Sequence, residues 1–177
     1  MKGILFTEFL AFADSELGSQ LADRLNEGRG EYRPAATYDP RELEALMAQA
    51  ATLAALSTGE LLRRFGERLF ARFVALYPIF FSDADSSVAF VASLDTFVHG
   101  ELLKLYGDLE FPQLQCRRPA ADRVEITYRS PRRLADLAEG LLRGCISYFG
   151  DPIELARTDL PNADGEQVVR FSLTPRG

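Results

Sequence analysis

The hydrophobic period of this chain changes once, near Gly107, and that change constrains the fold more than any other feature. Before it, apolar residues recur at helical spacing: Leu5, Phe9 and Phe12, then Leu21 and Leu25 beyond a break at Gly18. After it, Val124, Ile126 and Tyr128 alternate with Arg123, Glu125 and Thr127, the pattern of a half-buried strand. Helices first and a small antiparallel sheet later make an α+β arrangement.

Local signals place the elements. Gly28 to Pro40 is rich in Gly, Arg, Pro and Tyr and is expected to be an exposed connection. Asp39 reads as an N-cap, with Pro40 at the first position of a helix running through about Leu56. Another helix opens within Ser57–Glu60 and carries Leu61, Leu62, Phe65, Leu69, Phe70 and Phe73. It ends around Tyr77–Pro78, because proline disfavours helix in the residue before it. A third stretch runs from about Asp85 to Tyr106, capped by Ser86 or Asp83. Gln113–Arg117 is a partner strand for Val124–Tyr128. A helix is predicted over Pro131–Phe149, then strands at Ile153–Thr158 and Gln167–Thr174, joined by the turn Pro161–Gly165.

Composition narrows the function classes. The 177 residues fit one domain, and 13 Phe without any Trp imply a very apolar core or an occupied apolar pocket. A net charge of −6 with no dense basic stretch argues against a nucleic-acid partner. No apolar run is long enough to cross a bilayer. The opening MKGILFTEFLAFADSELG is interrupted by Glu8 and reads as an amphipathic helix rather than a leader, so a cytoplasmic location is expected. Cys116 and Cys145 are then expected to be free thiols. A lone histidine, scattered carboxylates and no phosphate-cradling glycine pattern leave little for an enzyme to work with.

Two clusters carry chemistry. His99 lies in AFVASLDTFVHGELLKLYG among Leu94, Val98, Leu102, Leu103 and Tyr106. A neutral imidazole facing an apolar cavity is what a proximal haem ligand requires. A partly buried histidine bonded to Asp95 or a carbonyl has the same surroundings. The second cluster is YRSPR. Tyr128 and Ser130, two apart on a strand, share a face, and with a helix starting at Pro131, Ser130 caps it and Arg132 falls in its first turn. Two hydroxyls and a forked guanidinium would then converge as a carboxylate receptor. A helix cap beside an incidental surface arginine would look alike.

Taken together, the chain resembles the haem–nitric oxide/oxygen binding (H-NOX) family, bacterial relatives of the haem domain of soluble guanylate cyclase. The likeness covers essentially the full length, through MKGILFTEFL, GEYRPAATYD, ELLRRFGERLF, YPIFF, VHGELLKLY, FPQLQ, YRSPR and LLRGCISYFG. Its most specific part is the histidine, the following Pro112 and a YxSxR about thirty residues after the histidine. The resemblance implies a helical N-terminal subdomain, about 1–65, packed over a haem-ligand and sheet subdomain, about 66–177. The latter would hold a four-stranded antiparallel sheet, with haem b between the two subdomains. It implies His99 as the iron ligand, Tyr128, Ser130 and Arg132 on the propionates, and Pro112 pressing on one pyrrole.

The same resemblance implies a distal wall of Leu5, Phe9, Leu69, Phe73, Leu137 and Leu141, which are equally ordinary core residues. Oxygen-binding members place a hydrogen-bonding tyrosine where this chain has Leu137. An apolar wall implies a sensor that binds nitric oxide and carbon monoxide, excludes oxygen, and signals when His99 is released. Output would pass to a histidine kinase or an enzyme of cyclic-di-GMP metabolism. A haem-free interaction module of the same fold is the alternative. With Cys145 the only candidate after Cys116, and no histidine beyond His99, a structural zinc is not expected.

Overall fold

A computed structural model describes residues 1–94, 100, 112–161 and 165–176. They form two compact units, Met1–Phe65 and Gly66–Gly177.

In the first unit, α1 (Gly3–Phe12) turns Phe6, Phe9 and Phe12 inward. A five-residue π-helical stretch, Ala13–Leu17, carries it to Gly18, whose φ of 103° breaks the helix before α2 (Ser19–Asn26). Leu25 of α2 is fully buried. Helix α3 (Pro40–Leu53) starts as its sequence spells, with Asp39 accepting from the Arg41 N–H at 2.9 Å and Pro40 at the first turn. It stops three residues before the expected Leu56. Ala55 takes a left-handed φ of 53°, and Leu56 N–H bonds back to Ala51 O at 3.0 Å while Ala55 N–H bonds to Thr52 O. That is a Schellman closure, with alanine at the position glycine usually fills. Nothing in the local hydrophobic pattern announces it. The next helix, α4 (Thr58–Leu76), opens where Ser57 accepts from the Glu60 N–H and ends just before Tyr77–Pro78.

The connection between α2 and α3 is mostly exposed, as its composition predicts, with one residue turned inward. Tyr32 is 8% exposed, its ring 4.7 Å from Phe6 and 5.0 Å from Tyr38. The segment folds over the start of α1 and satisfies N–H groups that a helix leaves unpaired. Gly3 N–H bonds Ala36 O at 2.8 Å, and Ile4 N–H bonds Pro34 O at 2.9 Å. The approach is so close that a Cβ on Gly3 would stand 2.0 Å from Arg33 O.

Tyr32 donates its hydroxyl proton to Glu42, and burial followed by that bond pushes the hydroxyl up to about 12. An unfolded tyrosine titrates near 10, so between these values the folded state holds the extra proton. Stability is therefore complete below pH ~10 and falls as pH rises towards 12. Chemical denaturation from pH 8 to 12 should show a loss on the order of 2 kcal/mol, and Tyr32→Phe should flatten it. An unchanged alkaline slope in Tyr32→Phe would assign the loss to other groups.

In the second unit, a short 3-10 turn (Pro78–Phe80) follows α4, and α5 (Ser87–Ser93) begins at Ser86, whose hydroxyl accepts from the Ala89 N–H. The continuation expected to Tyr106 lies outside the described residues beyond Leu94. Strands β1 (Gln113–Ala120) and β2 (Arg123–Ser130) precede α6 (Ala135–Phe149), and β3 (Ile153–Leu160) and β4 (Gln167–Pro175) follow it. The sheet is antiparallel throughout, in the order β1-β2-β4-β3, with an irregularity of register in β1 between Arg117 and Ala120. Val124, Ile126, Phe171 and Leu173 from its inner strands build the core with Val91 and Cys145. Helices α4 and α6 touch backbone to backbone: a Cβ on Gly66 would meet Leu137 O at 2.5 Å and Gly140 Cα at 2.8 Å. Both cysteines are free, as expected. No single helix among the described residues is long and apolar enough to cross a membrane.

Candidate functional site

Strand β2 lies inside the sheet, bonded on both sides, so its inward side chains are rigidly placed. Tyr128 pairs with Leu114 of β1 and Val169 of β4, and Ser130 pairs with Gln167. Strict alternation puts Val124, Ile126, Tyr128 and Ser130 on the buried side. Tyr128 and Ser130 are 3% and 5% exposed. Their shared face is thus as the sequence predicts.

The chain beyond them corrects the prediction. Pro131 and Arg132 form a turn, and α6 starts at Ala135 rather than Pro131. Arg133 has a φ of 51°, which an α-helix cannot accommodate, so the helix is delayed past it. Ser130 Oγ accepts from the Arg132 N–H at 3.2 Å, bracing the turn instead of capping α6. Gln167 Oε1 of β4 accepts from the first N–H of α6, at Ala135, at 3.1 Å. Arg132 is therefore fixed by a hydroxyl-braced turn and not by the first turn of a helix.

The electrostatics suit an anion. Burial raises the Tyr128 hydroxyl above its ordinary value, against the opposing pull of Ser130, the Leu134 backbone and the Arg132 charge. Tyr128 consequently stays protonated and can donate. Arg132 is half-buried, and a guanidinium donates only. Two hydroxyls and a forked cation within five residues form a donor set that matches a pair of carboxylates, the polar end of a haem.

The other predicted residues fall as follows. His99 lies outside the described residues. Pro112 is half-buried immediately before β1. In the first unit Leu5 is half-buried, and Phe9 is fully buried with its ring 5.1 Å from Phe65. In the second, Leu69 and Leu137 are buried, while Phe73 and Leu141 are partly buried against the core. Among the described residues no group of three His, Cys, Asp or Glu side chains could hold a metal ion.

Sequence reasoning missed what clamps α6 to the sheet. Arg157 of β3 reaches Asp136 at 2.8 Å and Glu139 at 3.1 Å, and Glu139, only 7% exposed, also takes Arg143 at 2.7 Å. Burial opposes the Arg157 charge, but the hydrogen bonds it donates to Asp159, Asp136 and Glu139 outweigh it and hold the cation above its usual value. The Glu139/Arg143 spacing of four was visible in sequence; the reach from β3 was not.

Comparison with known proteins agrees with this architecture. The profile of the Haem-NO-binding family matches residues 2–157. No curated protein matches the chain. Among solved structures, an unliganded Fe(II) H-NOX protein from K. algicida is 25% identical, with a TM-score of 0.90 over 100% of this chain and 97% of that one. An H-NOX protein from S. oneidensis in the Fe(II)NO state is 22% identical, with a TM-score of 0.85 over 98% and 99% of the two chains, and supports the fold. The helices, the four-stranded antiparallel sheet and the family profile lead to one conclusion: the chain belongs to the haem–nitric oxide-binding, or H-NOX, family of gas-sensor domains.

Proposed function

We propose that this protein is a nitric oxide sensor that also takes up carbon monoxide, excludes oxygen and uses haem b held through His99. The observation that supports it most is the buried pair Tyr128 and Ser130 with Arg132 beside them, a donor set suited to the two propionates. His99 supplies an imidazole nitrogen to the iron, and Pro112 bears on the ring. Bound there, ferrous haem supplies a coordination position for a diatomic gas.

Selectivity then rests on what the wall lacks. Leu137, 7% exposed, has no proton to donate, and neither have Leu5, Phe9, Phe73 or Leu141. Oxygen depends on a donor to stabilise charge on its outer atom, whereas nitric oxide does not. His99 serves as a releasable tether, and its release removes the strain held against Pro112. That shift can control output only as far as it favours one arrangement of the protein over another. The recipient is a separate cytoplasmic protein, a histidine kinase or an enzyme of cyclic-di-GMP metabolism.

Absorption spectra of the reconstituted ferrous protein test the reading. Nitric oxide is expected to move the Soret band to the position of a species that has lost its histidine, and air to leave the ferrous band in place until slow oxidation. A stable, reversible band shift in air overturns the selectivity. A protein that stays colourless after reconstitution points instead to a haem-free interaction module.

A further inference from the structure

Helix α6 carries an apolar pair and a charged cluster on different sides. Leu137 and Leu141, four residues apart, share one side. Asp136, Glu139 and Arg143, spaced i, i+3 and i+7, share another. The backbone contact with α4 at Gly66 fixes how far apart the two helices stand. It does not fix how α6 is rolled about its own axis, and that roll decides where Leu137 and Leu141 point.

The roll is fixed from the charged side. Arg157 enters from β3, a strand paired with β4 along its whole length. Its guanidinium divides its donors between the two elements. Nε and Nη2 donate to Asp159 Oδ1, two residues along the same strand, at 3.3 and 3.0 Å. That leaves Nη1 aimed at α6, where it donates to Asp136 Oδ1 at 2.8 Å and to Glu139 Oε2 at 3.1 Å. Nη1 carries two protons, one for each carboxylate. Arg143 also reaches Glu139, but it belongs to α6 and moves with it. With side chains 22% and 9% exposed, Arg157 and Glu139 meet largely out of water, where salt screens a charge pair little.

Resting on the reading of Leu137 and Leu141 as the distal wall, we infer that Arg157 is a positioning residue for the gas pocket. By gripping Asp136 and Glu139 together it sets the roll of α6, and so how closely the two leucines cover bound gas. Arg157 itself touches neither gas nor haem; it acts through the helix from the opposite side. The pair Glu139–Arg143, internal to α6, stabilises the helix without orienting it.

The test compares Arg157→Gln with Arg143→Gln in the haem-loaded ferrous protein, using carbon monoxide as the probe. Each substitution removes one cation from Glu139, but only the first releases α6 from the sheet. Carbon monoxide should dissociate about threefold faster or more from Arg157→Gln, and its stretching band should broaden as the wall takes up several arrangements. Arg143→Gln should match the parent in both. Hydrogen exchange in the gas-free protein should quicken over residues 136–143 in Arg157→Gln alone. Arg157→Lys keeps the charge but not the fork, and should fall between Arg157→Gln and the parent. Where Arg157→Gln folds too poorly to load haem, Asp136→Asn loosens the same grip and reads the same quantities. Parent-like rate and band in the Arg157 variant, beside an altered rate in Leu137→Ala, overturn the inference alone. An unaltered rate in Leu137→Ala overturns it together with the distal-wall reading. Equal changes in the Arg157→Gln and Arg143→Gln proteins also overturn it, since they trace the effect to the charge on Glu139 and not to the tie with β3.

Discussion

Replacing His99 with glycine is expected to yield a folded protein that no longer retains haem through gel filtration. The proposed receptor at Tyr128, Ser130 and Arg132 survives this change, so haem would still be in contact at its carboxylate end. What is lost is the proposed bond from the imidazole to the iron. Without it, haem affinity should fall at least ~100-fold, about 3 kcal/mol, and the Soret band should fade on dilution. Millimolar imidazole should restore colour by occupying the space the substitution opens. Arg132→Gln provides the contrast: it weakens haem retention but leaves the ferrous spectrum of the bound fraction unchanged. A His99→Gly protein with the parent's ferrous spectrum would place the iron ligand elsewhere.

Gly66→Ala should be the most damaging single methyl group in the second unit. Alanine is the better helix former by about 1 kcal/mol, so an isolated α4 would gain from it. Against α6 the outcome reverses. The added Cβ would sit 2.5 Å from Leu137 O and 2.8 Å from Gly140 Cα, and both are backbone atoms that no rotamer change can move aside. Separating two helices in a packed core costs about 1–3 kcal/mol or more. The net expectation is a loss of about 2 kcal/mol, read as a lower denaturation midpoint with an unchanged slope. Because Leu137, a residue of the proposed distal wall, lies at the clash, the dissociation rate of nitric oxide proposed to bind there should change as well. Arg68→Ala, on the same helix, is the control: it should leave both readouts near the parent values.

What could be read in the sequence depended on how far the determining contact lies along the chain. The start of α3 was legible because Asp39 and Pro40 act on their immediate neighbours. The inner face of β2 was legible because burial imposes a period of two on adjacent residues. The start of α6 was misread because Ser130–Pro131 carries a helix-opening signature. The decisive residues are Arg133, by its backbone conformation, and Gln167, which is 32 positions from the N–H it caps. The burial of Tyr32 within an otherwise exposed connection was not legible for a similar reason: a Gly- and Pro-rich stretch gives no sign that Phe6 and Tyr38 face it. The site divides the same way. Tyr128, Ser130 and Arg132 were found as a motif, while the Arg157 clamp on Asp136 and Glu139 depends on the pairing of β3 with β4.

Among the described residues, the order β1-β2-β4-β3 leaves two strands with one unpaired side, and each is built to refuse a further strand. In β1 the register breaks between Arg117 and Ala120, and Pro119 removes a donor where the edge would otherwise continue. Arg117 and Arg118 add like charges that two abutting copies would have to bring together. Along β3, Glu154, Arg157 and Asp159 punctuate the strand, and Arg157 is already committed to α6. Concentrated solutions of this protein should therefore not polymerise edge to edge through the sheet. A dye that lights up on cross-β fibrils should stay dark while the domain remains folded.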